Sequence, residues 1–221
     1  MPIYGPKTPD EALKRAEFVL YLRQKGLRDL NLLRAIEGVA RTPFVPDALS
    51  ELAYADRALP IACGQSMTPL YLVAYITEQL RLNDRHKVLE VGTGSGYLTA
   101  ILSRLSRRVY TMDRYRTLIA QAEARLAELK VANVTAMVGD GTLGWPAQAP
   151  FDRIVVTAAA EEPPGHLLGQ LRDDGILIMP LGKVGESQQL VKIEKTLNGY
   201  QQTALMPVRF VSLAAGRAIS M

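Results

Sequence analysis

Three glycines in one short loop have the types and spacing to hold a nucleotide-like ligand. Gly92, Gly94 and Gly96 follow the apolar run at 87–91 and precede a helical pattern. Glycine adopts positive φ at little cost and lets a ligand approach the backbone closely. Ligands of open α/β sheets bind beyond the carboxyl ends of the strands, which is where this loop is expected. The stretch therefore predicts a cofactor loop, although a tight strand–helix turn without a ligand remains an alternative.

Two carboxylates strengthen the ligand interpretation. Asp113 ends the second predicted strand, about 20 residues beyond the loop, where an acid accepts hydrogen bonds from ribose hydroxyls. Asp140 follows the third predicted strand, between Gly139 and Gly141, where it can accept from the exocyclic amine of adenine. Taken alone, Asp113 is equally typical of a helix N-cap and Asp140 of a turn. Together, at the ends of three successive strands, the glycines and acids favour an adenosine pocket.

The loop spacing indicates which adenosine ligand to expect. Dinucleotide-binding loops read G-x-G-x-x-G, but Tyr97 occupies the position of the third glycine. No P-loop lysine is present to neutralise phosphates. S-adenosylmethionine fits these features, with Glu90 available, directly or through water, to its cationic methionyl end. Tyr97 disfavours an NAD-dependent oxidoreductase.

The sequence offers few acid–base groups for catalysis. His86 precedes the first sheet strand, His166 fits a helix surface, and Cys63 has no obvious partner base. No cluster of metal ligands is evident, so no metal is predicted. The sequence therefore gives little indication of general acid–base, nucleophilic or metal-assisted catalysis.

Composition excludes several classes of protein. The 221 residues are 48% hydrophobic and 22% charged, with a net charge of +4. No run approaches the ~20 apolar residues that span a bilayer, and the single cysteine cannot form an intrachain disulfide. We therefore expect a cytoplasmic protein without membrane partners. Nucleic-acid partners are not expected either; an RNA-facing patch at Arg104, Arg107 and Arg108 is the less favoured alternative to a solvated helix end.

Hydrophobic periodicity predicts the elements that position these residues. A helical portion comes first, and its helix over 69–82 should have Thr68 as N-cap and Pro69 as first residue. Strands and helices then alternate, which implies a mostly parallel sheet covered on both faces. Two apolar runs around Asn198-Gly199 predict a final antiparallel hairpin. The predicted helices cover 9–25, 28–39, 47–53, 69–82, 96–106, 115–130 and 164–172, and the sheet strands before the hairpin cover 87–91, 108–112, 134–138, 152–157 and 175–180.

Several stretches together resemble the protein-L-isoaspartate O-methyltransferases. They are LPIACGQSMT, VLEVGTGSGY, VGDGTLGWPAQAPFDRIVVTAAA, DDGILIMPLG and VRFVSL. The resemblance implies an α/β, Rossmann-like S-adenosylmethionine-dependent methyltransferase sheet with an N-terminal helical extension. It implies one domain over 1–221, comprising a helical portion with the active-site loop (1–82), a cofactor-binding core (83–182) and a C-terminal hairpin and tail (183–221). It also implies methyl transfer to the carboxylate of isoaspartyl residues in damaged proteins or peptides, with S-adenosyl-L-homocysteine as product. The resulting ester collapses to a succinimide, which hydrolyses partly to aspartate.

The resemblance and the loop positions together define a predicted site. Thr68 is the expected catalytic hydroxyl. The predicted cofactor-binding residues are Glu90, Gly92, Thr93, Gly94, Ser95, Gly96, Asp113, Arg114, Gly139, Asp140, Gly141 and Thr157. The predicted substrate-binding residues are Gln65, Ser66, Met67, Thr68, Ala158, Val208, Arg209 and Val211.

The acceptor loop departs from the family pattern. Thr68 stands where the family usually has Ser, Ser66 replaces Thr, and Pro69 follows the hydroxyl residue directly instead of one position later. Elsewhere Asp113 stands where Glu is common, and Ser212 replaces Pro. The alternative is a homologue that binds S-adenosylmethionine but has another acceptor, or no transferase activity, because its 64–70 loop is altered.

Overall fold

A seven-stranded sheet lies at the centre of the protein. The computed structural model describes residues 9–183 and 185–218. Within them the strands of this sheet are β3 (Lys87–Val91), β4 (Arg108–Asp113), β5 (Val134–Val138), β6 (Phe151–Val156), β7 (Leu171–Leu181), β8 (Gln188–Thr196) and β9 (Gly199–Val208). Their order is β5-β4-β3-β6-β7-β8-β9, with parallel pairing from β5 through β7 and antiparallel pairing from β7 through β9. The predicted mostly parallel sheet with a C-terminal hairpin is confirmed.

Helices cover the sheet, and most of them precede or alternate with its parallel strands. They are α1 (Pro9–Gln24), α2 (Leu30–Gly38), α3 (Leu70–Gln79), α4 (Tyr97–Leu105), α5 (Arg116–Glu128) and α6 (Gly165–Gly169). The segment before α3 also contains a small hairpin, β1 (Leu59–Pro60) paired with β2 (Ser66–Met67). None of the helices in the described ranges is long and apolar enough to cross a membrane.

The central strands are apolar on both faces because elements pack on both sides of the sheet. Val88 and Val155 face one buried cluster, with α1 to α4, whereas Leu89 and Ile154 face a second cluster on the opposite side. All four side chains are fully buried. Continuous apolar runs of this kind are typical of parallel strands covered on both faces. Because the chain proceeds outward from β3 in one direction and from β6 in the other, a crevice is expected where these two strands end.

Several predicted boundaries were wrong. The helix predicted over 69–82 ends at Gln79, and the segment predicted as a helix over 47–53 forms a 3-10 helix, Asp47–Leu52. Pro69 is the N-cap of α3, not its first residue, because its ψ of 147° is extended while its carbonyl already accepts from the Val73 amide. Thr68 therefore lies one position outside the helix cap. The helix predicted to reach residue 172 ends at Gly169 instead, because Leu171 pairs with Phe151 as the first residue of β7.

Candidate cofactor and acceptor site

The glycine loop is fixed between the two strands that flank β3. The amides of Gly92 and Thr93 both donate to the Met112 carbonyl at the end of β4, at 2.8 and 3.3 Å. On the other side, the Thr157 hydroxyl donates to the Gly92 carbonyl at 2.9 Å. Gly92 has a φ of +98°, and a Cβ atom there would lie 2.2 Å from the Thr157 hydroxyl oxygen. A side chain at position 92 would therefore displace the loop.

Asp113 closes the loop from the end of β4. Its two carboxylate oxygens accept from the Gly94 amide at 3.0 Å and the Tyr115 amide at 3.1 Å. Burial raises the pKa of Asp113, while these backbone hydrogen bonds oppose that rise. The carboxylate thus orients the glycine loop and also lines the adjoining cleft, where ribose contact is expected.

A cleft of about 580 Å³ opens beside this loop at the carboxyl end of the sheet. Its walls come from the glycine loop, the end of β4, the loop after β6 and the C-terminal segment. Predicted residues that line it are Gln65, Ser66, Gly92, Gly94, Asp113, Arg114, Gly141, Thr157, Ala158 and Val211. Lining residues that sequence reasoning missed are Val91, Met112, Tyr115, Leu118, Ser212, Leu213 and Ala214. Of the tail residues among them, Ser212 and Leu213 belong to the stretch VRFVSL that carries the family resemblance, which was the available signal.

A second cleft of about 390 Å³ adjoins the first. The two share the lining residues Ser66, Gly92, Gly94 and Thr157. The other predicted residues that line the second cleft are Met67, Thr68, Thr93 and Ser95, and the unpredicted ones are Val73, Tyr97 and Leu98. Thr68 and the glycine loop therefore border the same space.

The β1–β2 hairpin positions the residues that lead to Thr68. Leu59 pairs with Met67, and the Ile61 amide donates to the Gln65 carbonyl at 2.9 Å. At the tip, Cys63 and Gly64 have φ values of 59° and 64°. The sequence analysis missed this hairpin because strands of two residues are too short to show alternation. Gly64 was the available turn signal.

Glu90 lies beneath the glycine loop and lines neither cleft. It is completely buried, and its Oε2 accepts from the hydroxyls of Thr99 at 2.5 Å and Thr111 at 2.7 Å. The Thr93 hydroxyl extends this network, 2.6 Å from that of Thr111. Burial raises the pKa of Glu90 to about 8, so the carboxyl group is mostly protonated at neutral pH. In this position Glu90 supports the glycine loop through the hydroxyls of Thr111 and Thr93. The sequence analysis expected Glu90 to be available to the methionyl group of the cofactor.

Asp140 uses both carboxylate oxygens within the chain. One accepts from the Thr142 amide at 2.9 Å and hydroxyl at 2.6 Å, and the other from the Gly216 amide at 2.7 Å. Burial raises its pKa, but the hydrogen bonds from Thr142 and Gly216 outweigh burial and hold it below its ordinary value. The neighbouring Gly141 lines the cleft instead. Contact between Asp140 and adenine stays a prediction.

The C-terminal segment forms one side of the larger cleft. Ala159 donates to the Val211 carbonyl and its own carbonyl accepts from the Leu213 amide, both at 2.7 Å. The Gly216–Asp140 bond then holds the end of this segment against the loop after β5. Val208 pairs with Gln188 inside the sheet, and Arg209 is exposed; neither lines the two clefts. The other predicted residues outside the linings are Gly96 and Gly139, which pack closely against Ala122 and Met112.

The histidines do not border either cleft. His86 hydrogen-bonds with Asn83 before β3, at the amino end of the sheet, and His166 is exposed on α6. Burial is the main cause that lowers the pKa of His86. Residues 9–183 and 185–218 contain no group of three or more His, Cys, Asp or Glu side chains that could hold a metal.

Known proteins match this chain over most of its length. The family described as protein-L-isoaspartate(D-aspartate) O-methyltransferase matches residues 13–218. The chain is 55% identical over 211 residues to the protein-L-isoaspartate O-methyltransferase of Xanthobacter autotrophicus, covering 96% of each chain. It is 52% identical over 207 residues to that of Parvibaculum lavamentivorans, covering 93% of each.

Solved structures share the fold. One described as a protein-L-isoaspartate O-methyltransferase superimposes with a TM-score of 0.82 at 25% identity, over 91% of this chain and 66% of that chain. A Plasmodium falciparum structure in complex with S-adenosyl-L-homocysteine gives a TM-score of 0.79 at 24% identity. That alignment covers 90% of this chain and 98% of the other.

Proposed function

The chain belongs to the protein-L-isoaspartate(D-aspartate) O-methyltransferase family, and from this we propose that it methylates the free carboxylate of L-isoaspartyl residues in proteins and peptides. S-adenosyl-L-methionine is the proposed methyl donor and S-adenosyl-L-homocysteine the product. A cytoplasmic location and the absence of nucleic-acid and membrane partners stay predictions from the sequence.

The larger cleft has the features that a phosphate-free adenosine ligand requires. Gly92 and Gly141 line it, and Cβ atoms at these positions would lie 2.2 and 2.4 Å from the side chains of Thr157 and Val91, so no side chain fits there. Asp113 offers a carboxylate at the end of β4, the position typical of a ribose acceptor. We propose that these residues hold the adenosyl part, with Arg114, Thr157 and Ala158 alongside. The bound cofactor would supply an activated methyl group on a sulfonium sulfur.

The smaller cleft would hold the acceptor. Transfer forms a bond between a carboxylate oxygen and the methyl carbon, breaks the bond from that carbon to sulfur, and leaves a methyl ester and a neutral thioether. Because the carboxylate is already an anion, no proton has to be removed. The chain has to orient the oxygen, exclude water and limit the cost of desolvating the anion. We propose that the Thr68 hydroxyl donates to that oxygen while Gln65, Ser66 and Met67 border the peptide.

One observation carries the proposal: the cleft that contains Thr68 shares four lining residues with the cleft beside Asp113. An acceptor oxygen and a cofactor methyl group can therefore be held on the two sides of one glycine loop. An isoaspartyl residue carries its free carboxylate one methylene closer to the backbone than aspartate does. A site that grips the flanking peptide groups aligns only one of the two isomers.

The test is methyl transfer from labelled S-adenosylmethionine to two synthetic peptides that differ only in isoaspartate versus aspartate. We expect the label in the isoaspartyl peptide alone, and calorimetry should show binding of S-adenosylhomocysteine but not NAD. Equal labelling of both peptides would refute isoaspartyl specificity. No labelling, with the cofactor still bound, would instead favour a homologue with another acceptor, or with no transferase activity, because of the altered 64–70 loop.

Two substitutions at Thr68 test the hydroxyl. Thr68→Ser keeps the donor and should retain most of the transfer rate, whereas Thr68→Val removes it and should slow transfer by roughly one to two orders of magnitude. Both variants should bind S-adenosylhomocysteine as the wild type does. A Thr68→Val variant with a full rate would show that the hydroxyl does not orient the acceptor.

A further inference from the structure

Arg41 is a completely buried arginine behind the acceptor loop. Its Nη2 donates to the Thr68 carbonyl at 2.8 Å. Its guanidinium carbon lies 4.8 Å from the centre of the Tyr97 ring, within the range of a cation–π contact. Thr68 and Tyr97 both line the smaller cleft. The arginine is therefore one residue removed from the space proposed for the acceptor, through two separate neighbours.

The positive charge of Arg41 has no carboxylate bonded to it. Its Nε and Nη1 are buried without a hydrogen-bond partner in the described part of the chain. Tyr97, and after it Asp56, is near enough to favour the cation, but the oxygens of Asp56 accept from the Tyr71 amide and the Tyr21 hydroxyl. Burial lowers the pKa of Arg41, yet a guanidinium keeps its proton in proteins. A buried cation without an ionic partner is costly to a fold, which calls for a compensating role.

The acceptor carboxylate is an anion that must also be desolvated, so it needs a positive charge nearby. A carboxylate that enters a water-poor cleft loses hydration, and this loss opposes binding. A cation that is fixed in place beforehand offsets that loss without reorganising when the anion arrives. Arg209, the arginine among the predicted substrate-binding residues, is exposed and lines neither cleft, so it does not meet this need.

We propose that Arg41 is a positioning residue for the acceptor carboxylate: it holds Thr68 through its carbonyl and supplies, behind Thr68 and Tyr97, the counter-charge for the substrate anion. This inference rests on the proposed function, since it assigns a charge partner to the same acceptor. It explains why the guanidinium is left without an ionic partner and why it is shielded from water. Arg41 thus has two proposed roles, the hydrogen bond to the Thr68 carbonyl and the positive charge, and different substitutions can remove them.

The test compares two peptides that differ only at the acceptor, one isoaspartyl with its free carboxylate and one with the corresponding carboxamide. Calorimetry measures binding of each peptide to protein saturated with S-adenosylhomocysteine. We expect the wild type to prefer the carboxylate peptide. Arg41→Gln keeps a donor for the Thr68 carbonyl but removes the charge, and should reduce this preference by about tenfold or more. Arg41→Lys keeps the charge and should retain most of the preference.

A matched control is Arg153→Met. Like Arg41, Arg153 donates to a backbone carbonyl, that of Leu80 at 2.6 Å, but it is only partly buried and lies toward the amino end of β6. This variant should leave the preference unchanged. Thermal unfolding checks that each protein is folded. If Arg41→Gln does not fold, Arg41→Lys is compared with Tyr97→Leu. Tyr97→Leu removes the ring that the guanidinium contacts and should lower the preference for the carboxylate peptide.

The outcomes separate the two proposals. A wild type with no preference for the carboxylate refutes the proposed function, and this inference with it. A wild-type preference that persists in Arg41→Gln refutes the role of Arg41 alone. Equal weakening of both peptides, or weaker binding of S-adenosylhomocysteine, also overturns it, because either would mean that Arg41 only maintains the loop.

Discussion

The buried carboxyl group of Glu90, beneath the glycine loop, should make the stability of the protein depend on pH. Because its pKa is raised from 4.5 to about 8 by burial, the folded state holds a proton that the unfolded state releases. The resulting stabilisation is complete below about pH 4.5 and is lost as pH rises through about 8. The free energy of unfolding should therefore fall between these limits, by on the order of 1 kcal/mol per pH unit.

Glu90→Gln should remove this contribution, because an amide does not titrate. We expect the stability of the variant, relative to the wild type, to improve steadily as pH rises from 5 to 8, as measured by urea unfolding at several pH values. Glu37→Gln, at an exposed position of α2, is the control and should leave the slope unchanged. Parallel pH dependences of Glu90→Gln and the wild type would show that Glu90 titrates normally.

Asp140 is the second acid whose effect can be isolated. Its carboxylate holds both the Thr142 turn and the Gly216 amide, so its loss should disturb two walls of the larger cleft. Asp140→Ala should weaken binding of S-adenosylhomocysteine by roughly 1–3 kcal/mol. Asp140→Asn retains an acceptor oxygen and should lose less. Calorimetry compares the three proteins, and an unchanged affinity in the alanine variant would contradict this assignment.

At the scale of elements, the loop between β3 and α4 depends on glycine for two reasons. Gly92 has a positive φ, and any side chain there would meet the Thr157 hydroxyl. Gly92→Ala should therefore lower the stability by a few kcal/mol and abolish detectable binding of S-adenosylhomocysteine. Gly165→Ala, at the start of α6 with no atom within 4 Å of the added Cβ, should change neither quantity. Thermal unfolding and calorimetry on both variants measure the difference.

The same elements show how far a sequence reveals a structure. The strand before Gly92 and the hairpin at Asn198-Gly199 were predicted because each depends on a pattern within a few neighbouring residues. The contacts that complete the site are not local. Thr111 lies 21 residues from Glu90, Thr68 27 residues from Arg41, and Gly216 76 residues from Asp140. No local pattern encodes such pairs, so the hydrogen bonds of Glu90 and Asp140 within their own chain were not predicted.

Helix limits failed for a related reason. The apolar spacing at 164–172 fits a helix, but pairing of Leu171 with β6 determines where the strand begins. The Gln170 side chain also helps to fix the end of α6, because it accepts from the Trp145 amide and donates to the Leu143 carbonyl. Tertiary pairing overrides a weak local preference in such cases.

At the scale of the whole molecule, neither the histidines nor the cysteine are among the residues that line the two clefts. His86 is at the amino end of the sheet, His166 is exposed on α6, and Cys63 lies at the tip of the β1–β2 hairpin. Single alanine substitutions at these positions should keep most of the wild-type transfer rate. Methyl transfer to the isoaspartyl peptide measures this, with and without a chelator. A thousandfold loss in a folded variant would reveal a general base or nucleophile.

The hydrogen bond between Gly216 and Asp140 should affect the rate at which S-adenosylhomocysteine dissociates as well as its affinity. Each turnover must exchange spent cofactor for fresh cofactor, and a ligand in the larger cleft lies against the segment that this bond holds down. We therefore expect release of the product to require detachment of this segment from Asp140. If so, the affinity lost in Asp140→Ala should appear as faster dissociation rather than slower association in stopped-flow experiments. The lifetime of bound S-adenosylhomocysteine would then depend on the hydrogen bond of the Gly216 amide.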